Sequence, residues 1–196
     1  YQLGAVDNVT SYVTVTATGG TVGGVVANQE GSAGVLSNCV NYGSVTSTSY
    51  IVGGVTGSGG ATITNCVNGS STDATKGNLI NSSPSNSELH MGGFLGFMQN
   101  ACSDISGFTN YGSITNTASI KSWCCIGGVV GLIKDLTTNT NTISGCNNYG
   151  HLETTVATNR VSIGGAVGFI DNSNTSVSTI KNYGNIANKA DAGSGV

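Results

Sequence analysis

The phrases that decide the fold are Ile126-Gly127-Gly128-Val129-Val130-Gly131 and, further on, Cys146-Asn147-Asn148-Tyr149-Gly150-His151-Leu152. Both recur. The first, an aliphatic residue before two glycines, returns as Val22-Gly23-Gly24, Val52-Gly53-Gly54, Met91-Gly92-Gly93 and Ile163-Gly164-Gly165. A small residue follows three positions later: Ala27, Gly57, Gly96, Gly131 and Gly168. The second returns as Asn41-Tyr42-Gly43, Asn110-Tyr111-Gly112 and Asn182-Tyr183-Gly184, with Asn68-Gly69 as a shortened copy. The two markers alternate strictly, and successive Gly-Gly pairs are 30, 39, 35 and 37 residues apart. A fixed alternation at this period is the mark of a repeat architecture.

Columns form around the second marker. Two residues before each Asn stand Cys39, Cys66, Phe108, Cys146 and Ile180; three before those stand Leu36, Ile63, Ile105, Ile143 and Val177. Two after the Gly stand Val45, Ser71, Ile114, Leu152 and Ile186. Tyr50, Leu89, Cys124 and Val161 lie two residues ahead of the aliphatic position. Apolar columns with polar residues between them read as strands with one buried face. One repeat cannot bury its own apolar face, whereas stacked repeats bury a continuous core. The sequence therefore predicts an all-β solenoid, or β-helix, of about five coils. The glycines are expected at corners, where a positive φ costs them nothing. The recurring Asn side chains are expected to point inward and to hydrogen-bond along the stack at the strand spacing of about 4.8 Å. Thr72 to Ser87, Asn116 to Ser122 and Lys134 to Thr142 vary and are polar, and read as surface loops.

Composition agrees. Among 196 residues there are 31 glycines and one proline; Lys and Arg number six, Asp and Glu nine, and the net charge is −3. Six cationic residues cannot form a nucleic-acid-binding surface. With 38% apolar residues the chain is not disordered by charge. No apolar run approaches the ~18 residues of a membrane span. The chain reads as a single repeat domain over 1–196: an N-terminal strand segment at 1–20, five repeats at 21–187, and an incomplete repeat or tail at 188–196. A chain that starts at Tyr1 reads as processed or as an excerpt. Six cysteines and four Asn-x-Ser/Thr sequons, at Asn8, Asn68, Asn81 and Asn174, fit an extracellular or cell-surface protein with candidate N-glycosylation sites.

Gly-Gly-x-x-Gly, an aliphatic strand, then Cys-x-Asn-Tyr-Gly-x-Val resembles the GLUG-motif repeats over roughly residues 21 to 187. That resemblance implies a place in a large microbial surface or adhesin-like protein. It implies no activity, because the family has no shared catalytic residues to carry over.

The chemistry-bearing residues are few. His90 and His151 fall where other repeats carry Ile51, Cys125, Ser162, Ser44, Ser113 and Asn185, which suits exposed positions. The adjacent Cys124-Cys125 fits no common zinc geometry. Asp135 and Asp171, with Gln99, Asn100 and Asn28 at matching positions, read as solvated turns, with a polar ladder or weak calcium corner as the alternative. A glycosidase pair needs two carboxylates at a set separation, and no Lys or Arg accompanies these. Thr14, Thr16 and Thr18 alternate, but no Thr column persists as an ice-binding face requires. No cofactor or metal is expected.

Cys39 and Cys66 are expected as inward neighbours on adjacent coils, either disulfide-bonded or packed as thiols. Parallel stacking keeps Cβ atoms almost as far apart as Cα atoms, and a disulfide prefers about 3.8 Å. Cys146 is expected free, behind Phe108. Cys102 is expected to pair with Cys124 or Cys125. Tyr42, Tyr111, Tyr149 and Tyr183 are expected to point outward, covering their own corners, contacting another subunit or binding glycans. The leading functional reading is a non-enzymatic structural protein, a filament subunit or adhesin stalk. It would associate end to end with itself or with further repeats, through unpaired strand edges. The alternative is a glycan-binding or polysaccharide-cleaving β-helix.

Overall fold

The computed structural model describes residues 4–29, 34–59, 62–82, 88–99, 104–134, 140–155, 160–171 and 174–189. These form strands and turns with no helix among them. The chain winds through five parallel sheets in turn and then repeats the circuit. Sheet 1 stacks Ala5–Asp7, Val35–Ser37, Thr62–Thr64, Asp104–Ser106, Thr140–Ser144 and Asn174–Ser178. Sheet 2 stacks the two-residue strands that carry the recurring Asn, from Thr10–Ser11 to Lys181–Asn182. Sheet 3 runs from Val15–Ala17 to Ile186–Asn188, again six strands deep. Sheets 4 and 5 hold five strands each, Thr21–Gly23 to Arg160–Gly164 and Val26–Gln29 to Val167–Asp171. The result is the β-solenoid that the repeats predict, with five complete circuits and three strands of a sixth.

Register follows the markers. Leu36 pairs with Ile63, Ile63 with Ile105, Ile105 with Ile143 and Ile143 with Val177. A slip of one residue would turn the whole column to solvent, so burial specifies this register strongly. The interior contains two apolar bodies. One gathers Leu36, Cys39, Ile63, Phe94, Leu95, Met98, Phe108 and Ile143, from sheets 1 and 5, the corner between sheets 1 and 2 and the turn between sheets 4 and 5. The other gathers Val45, Val52, Leu79, Met91, Ile114, Ile126 and Leu152, from sheets 3 and 4.

Between the two bodies lie the asparagines of sheet 2, and here the markers meet. A Cβ on Gly128 would fall 2.4 Å from Asn148 Cγ and 2.2 Å from the Gly165 carbonyl oxygen. Gly24, Gly54, Gly93 and Gly165 stand in the same way against Asn41, Asn68, Asn110 and Asn182. The second glycine of each pair thus leaves room for an amide reaching across from the opposite wall. The first glycine lies against a carbonyl of its own turn: a Cβ on Gly127 would come within 1.8 Å of Val130 O. The Asn-Tyr-Gly glycine meets the neighbouring coil, as at Gly150, where a Cβ would lie 2.0 Å from Gly112 O.

These contacts correct the expected role of glycine. Among the marker glycines only Gly69 has a positive φ, 84°; the others are there for close approach. The left-handed corner lies elsewhere, between sheets 1 and 2, at Asn8, Asn38, Asn65, Gly107, Gly145 and Thr179. Asn tolerates this region better than most residues.

The third coil brings a second correction. Ser71 is not the partner of Val45; Leu79 is, paired to Val45 on one side and Ile114 on the other. The chain between Gly69 and Gly77 makes an extra excursion that displaces the match, so Leu79–Asn81 is a strand inside a stretch that reads as loop. Similarly, Asn116, Ala118 and Ile120 are buried, and Thr140–Ser144 is a strand. Tyr50 is exposed while Leu89 and Cys124, at the matching place, are fully buried.

Candidate functional site

The asparagine column is one continuous amide ladder. Nδ2 of Asn41 donates to Oδ1 of Asn68 at 2.9 Å, Asn68 to Asn110 at 2.8 Å, Asn110 to Asn148 at 2.7 Å and Asn148 to Asn182 at 2.7 Å. Each Nδ2 has a second proton, which goes to a glycine carbonyl of its own coil: Gly43, Gly77, Gly112, Gly150 and Gly184. Asn41, Asn68, Asn110 and Asn148 have no solvent exposure. Burying such groups unpaired would cost about 1–3 kcal/mol each; here the amide protons are all used. A second, shorter ladder runs through sheet 3, where Asn81 donates to Asn116 at 2.8 Å and Asn116 to Thr154 Oγ1 at 3.2 Å. The sequence reading missed it because Asn81 falls in the displaced stretch.

Two of the four candidate glycosylation sites therefore need correction. Asn68 and Asn81 are buried within amide ladders and present no side-chain nitrogen at the surface of the folded protein. Asn8 and Asn174 are exposed.

The tyrosines stand beside the ladder on the outer face. Tyr111 and Tyr149 stack at 5.1 Å between centroids, and Tyr149 and Tyr183 at 4.7 Å with planes 8° apart. Tyr42 stacks on Tyr12 at 5.2 Å, which adds a ring that the markers do not predict. Gly69 holds the column position between Tyr42 and Tyr111: its N–H bonds to Asn41 O, as Tyr111 N–H bonds to Asn68 O.

Cys39, Cys66, Cys124, Cys125 and Cys146 are buried free thiols. Cys39 and Cys66 are adjacent and unbonded, so of the two arrangements left open the structure holds the packed one. Their S–H groups donate to Ser37 O at 3.1 Å and Thr64 O at 3.4 Å. Cys146 is free and donates to Ser144 O at 3.2 Å. Cys102 lies outside the described residues, and the two cysteines expected as its partners are unpaired. Burial pushes the thiols of Cys66 and Cys124 up to about 12 and raises that of Cys125 as well. None of these is a nucleophile at neutral pH.

His90 is the second departure from expectation, being buried rather than exposed. Its Nε2 lies 3.2 Å from Glu88 Oε2, its ring 5.4 Å from Phe97, and its Nδ1 has no partner among the described residues. Burial lowers its pKa, against the opposing pull of Glu88. It lines a cavity of about 320 Å³ with Tyr50, Ile51, Phe97, Leu132 and Lys134. Neighbouring coils cover the same outer face with Trp123, which meets Phe169 edge-on at 4.1 Å, and with the Arg160 guanidinium 4.2 Å above the indole. His151 stays at the surface, 3.3 Å from Glu153. Asp171 pairs with Lys134 at 3.8 Å; Asp135 and Asn100 lie outside the described residues, as does the Gln99 side chain. The described residues hold no cluster of three or more His, Cys, Asp or Glu suited to a metal ion.

A second cavity, of about 460 Å³, opens beside the tyrosines and is lined by Ser70, Ser71, Ala74, Tyr111 and Tyr149. No family model, no curated protein and no solved structure matches the chain.

Proposed function

We propose that the chain is a non-enzymatic extracellular structural element, a filament subunit or adhesin stalk, lengthened by further coils of its own kind. Those coils are supplied by another copy or by more repeats of the same protein. The observation that carries this reading is the uniformity of the stack: the apolar columns and the amide ladder join each coil to the next in one parallel register. A further coil of the same kind can pair in the same way, because a parallel strand edge templates another strand. The resemblance to GLUG repeats, the low charge and the surface position of Asn8 and Asn174 support the extracellular assignment.

Electron microscopy and light scattering of the pure chain at micromolar concentration test the reading. Elongated particles or fibres are expected. They should persist in about 1 M salt, because backbone hydrogen bonds and apolar columns are little screened. Discrete monomers that cleave a polysaccharide would replace this reading with an enzymatic one.

A further inference from the structure

The tyrosine column is interrupted once, and the interruption is built rather than empty. In the third coil the ring position is Gly69, at φ 84°. From there the chain leaves the rung and returns at Gly77, whose N–H donates to Tyr42 O at 3.2 Å. The excursion holds itself in shape. The Asp73 carboxylate accepts from Thr75 N at 2.9 Å and Thr75 Oγ1 at 2.6 Å. Lys76 N bonds to Asp73 O at 3.1 Å, and Asn78 Nδ2 to Ala74 O at 3.1 Å. Ser44 Oγ ties it to the second coil through Thr75 O at 3.3 Å.

This ledge faces Tyr111 and Tyr149 across the 460 Å³ cavity. The volume is within the usual range of small-molecule sites. Tyr111 stacks on Tyr149 on one side and has no aromatic neighbour on the side of Gly69 among the described residues. The cavity therefore offers π surface and phenolic groups on one wall and the hydroxyls of Ser70 and Ser71 on the other. None of its lining residues is charged. A charged ligand would have to shed water with no counter-charge to meet it. A purely apolar one would strip water from the exposed Ser71 hydroxyl and offer it no partner, whereas Ser70 Oγ already accepts from Thr72 N at 3.2 Å. The chemistry that matches both walls is an uncharged ring with one C–H face and several hydroxyl groups. We propose that this cavity binds a neutral pyranose unit of a surface polysaccharide, with the open face of Tyr111 as the platform, the edge of Tyr149 beside it and Ser71 as a hydrogen-bonding group.

Nuclear magnetic resonance of the whole chain, labelled in its tyrosine rings, provides the test. The probes are the methyl glycosides of glucose, galactose, mannose and N-acetylglucosamine, with sodium N-acetylneuraminate as an anionic comparison. At least one neutral glycoside is expected to shift the Tyr111 and Tyr149 signals and spare those of Tyr12 and Tyr42, at a dissociation constant of about 1 mM. Tyr111→Ala should weaken binding roughly tenfold, within the range of a lost aromatic contact, while Tyr12→Ala leaves it unchanged. Ser71→Trp, at an exposed residue outside the ladder, should abolish binding by filling the cavity without disturbing the stack. The proposal is overturned if no neutral glycoside moves those two rings at about 50 mM. Unchanged binding in Tyr111→Ala or in Ser71→Trp, or a preference for the anionic sugar, also overturns it.

Discussion

The asparagine and tyrosine columns are neighbours in sequence and opposites in behaviour. Asn41 and Tyr42, or Asn148 and Tyr149, are consecutive residues, yet one column runs unbroken through five coils and the other loses a member at Gly69. The difference is burial. An inward amide is held by its neighbours above and below, by a glycine carbonyl of its own coil and by a glycine on the opposite wall. An outward ring loses only its stacking partners. Interior positions here are set by satisfied hydrogen bonds and by space, while outer ones are open to replacement and to new use.

The comparison can be broken most severely from the inner side. Gly128→Ala would place a methyl within 2.4 Å of Asn148 Cγ and 2.2 Å of a carbonyl. Overpacking costs about 1–3 kcal/mol even where side chains can yield, and backbone cannot yield as they do. We expect a loss above about 4 kcal/mol, and thermal unfolding checks it. An alanine variant as stable as the parent would show that the amide does not reach the opposite wall.

Asn110→Ala comes next. It leaves Asn68 Nδ2, Asn148 Oδ1 and Gly112 O each short of a bond. Equilibrium denaturation should show a loss of about 3 kcal/mol. Asn110→Asp should be worse at neutral pH than at pH 3, because a buried unpaired carboxylate is costly.

On the outer side, Tyr149→Ala removes two stacking contacts and Tyr12→Ala one. Losses of about 1–2 and below about 1 kcal/mol are expected in that order. Equal losses would mean that the rings matter only through the surface they cover.

The smallest effect is that of pH. His90 is held neutral by burial, so its pKa in the fold lies below the ordinary 6.5. The unfolded chain takes up that proton first, and stability should begin to fall as pH drops below about 6.5. Glu153 is held below its usual 4.5 by Lys189 and His151, and Asp7 below 3.8 by Ser37 and Asn38. Their contributions are present above those values and are lost as pH falls through the lower ones of the fold. A melting curve that is level between about pH 7 and 8 and falls in two stages below that is expected, with His90→Gln removing the first; above about pH 9 it should fall again, because the unfolded thiols ionise before the buried ones.

The architecture was legible because its signal repeats. Ile63, Ile105 and Ile143 occupy the same place in three coils, and chance cannot mimic that. The Asn ladder was legible for the same reason. What escaped notice had no periodic mark or had been displaced. Leu79 lost its alignment to the excursion that begins at Gly69. Thr179 and Gly107 share a left-handed corner with Asn38 but no side-chain chemistry. The contact of Gly128 with Asn148 joins two motifs that only the winding of the coil brings together. His90 looked exposed because its counterparts, Ile51 and Cys125, seemed interchangeable with serine, whereas the outer face of sheets 4 and 5 has an apolar cover of its own.

The direction of the backbone hydrogen bonds has a mechanical consequence. They lie along the stacking axis, so a pull on the two chain ends loads the outermost coil alone, and coils peel off one at a time. Each adds about 4.8 Å to the folded length. Yet successive coils are separated by 30 to 39 residues, which extend to roughly 100–130 Å when drawn straight. Each released coil thus becomes more than twentyfold longer than its own share of the stack. The stack gives way in discrete steps instead of breaking, and the longest step belongs to the coil with the excursion after Gly69.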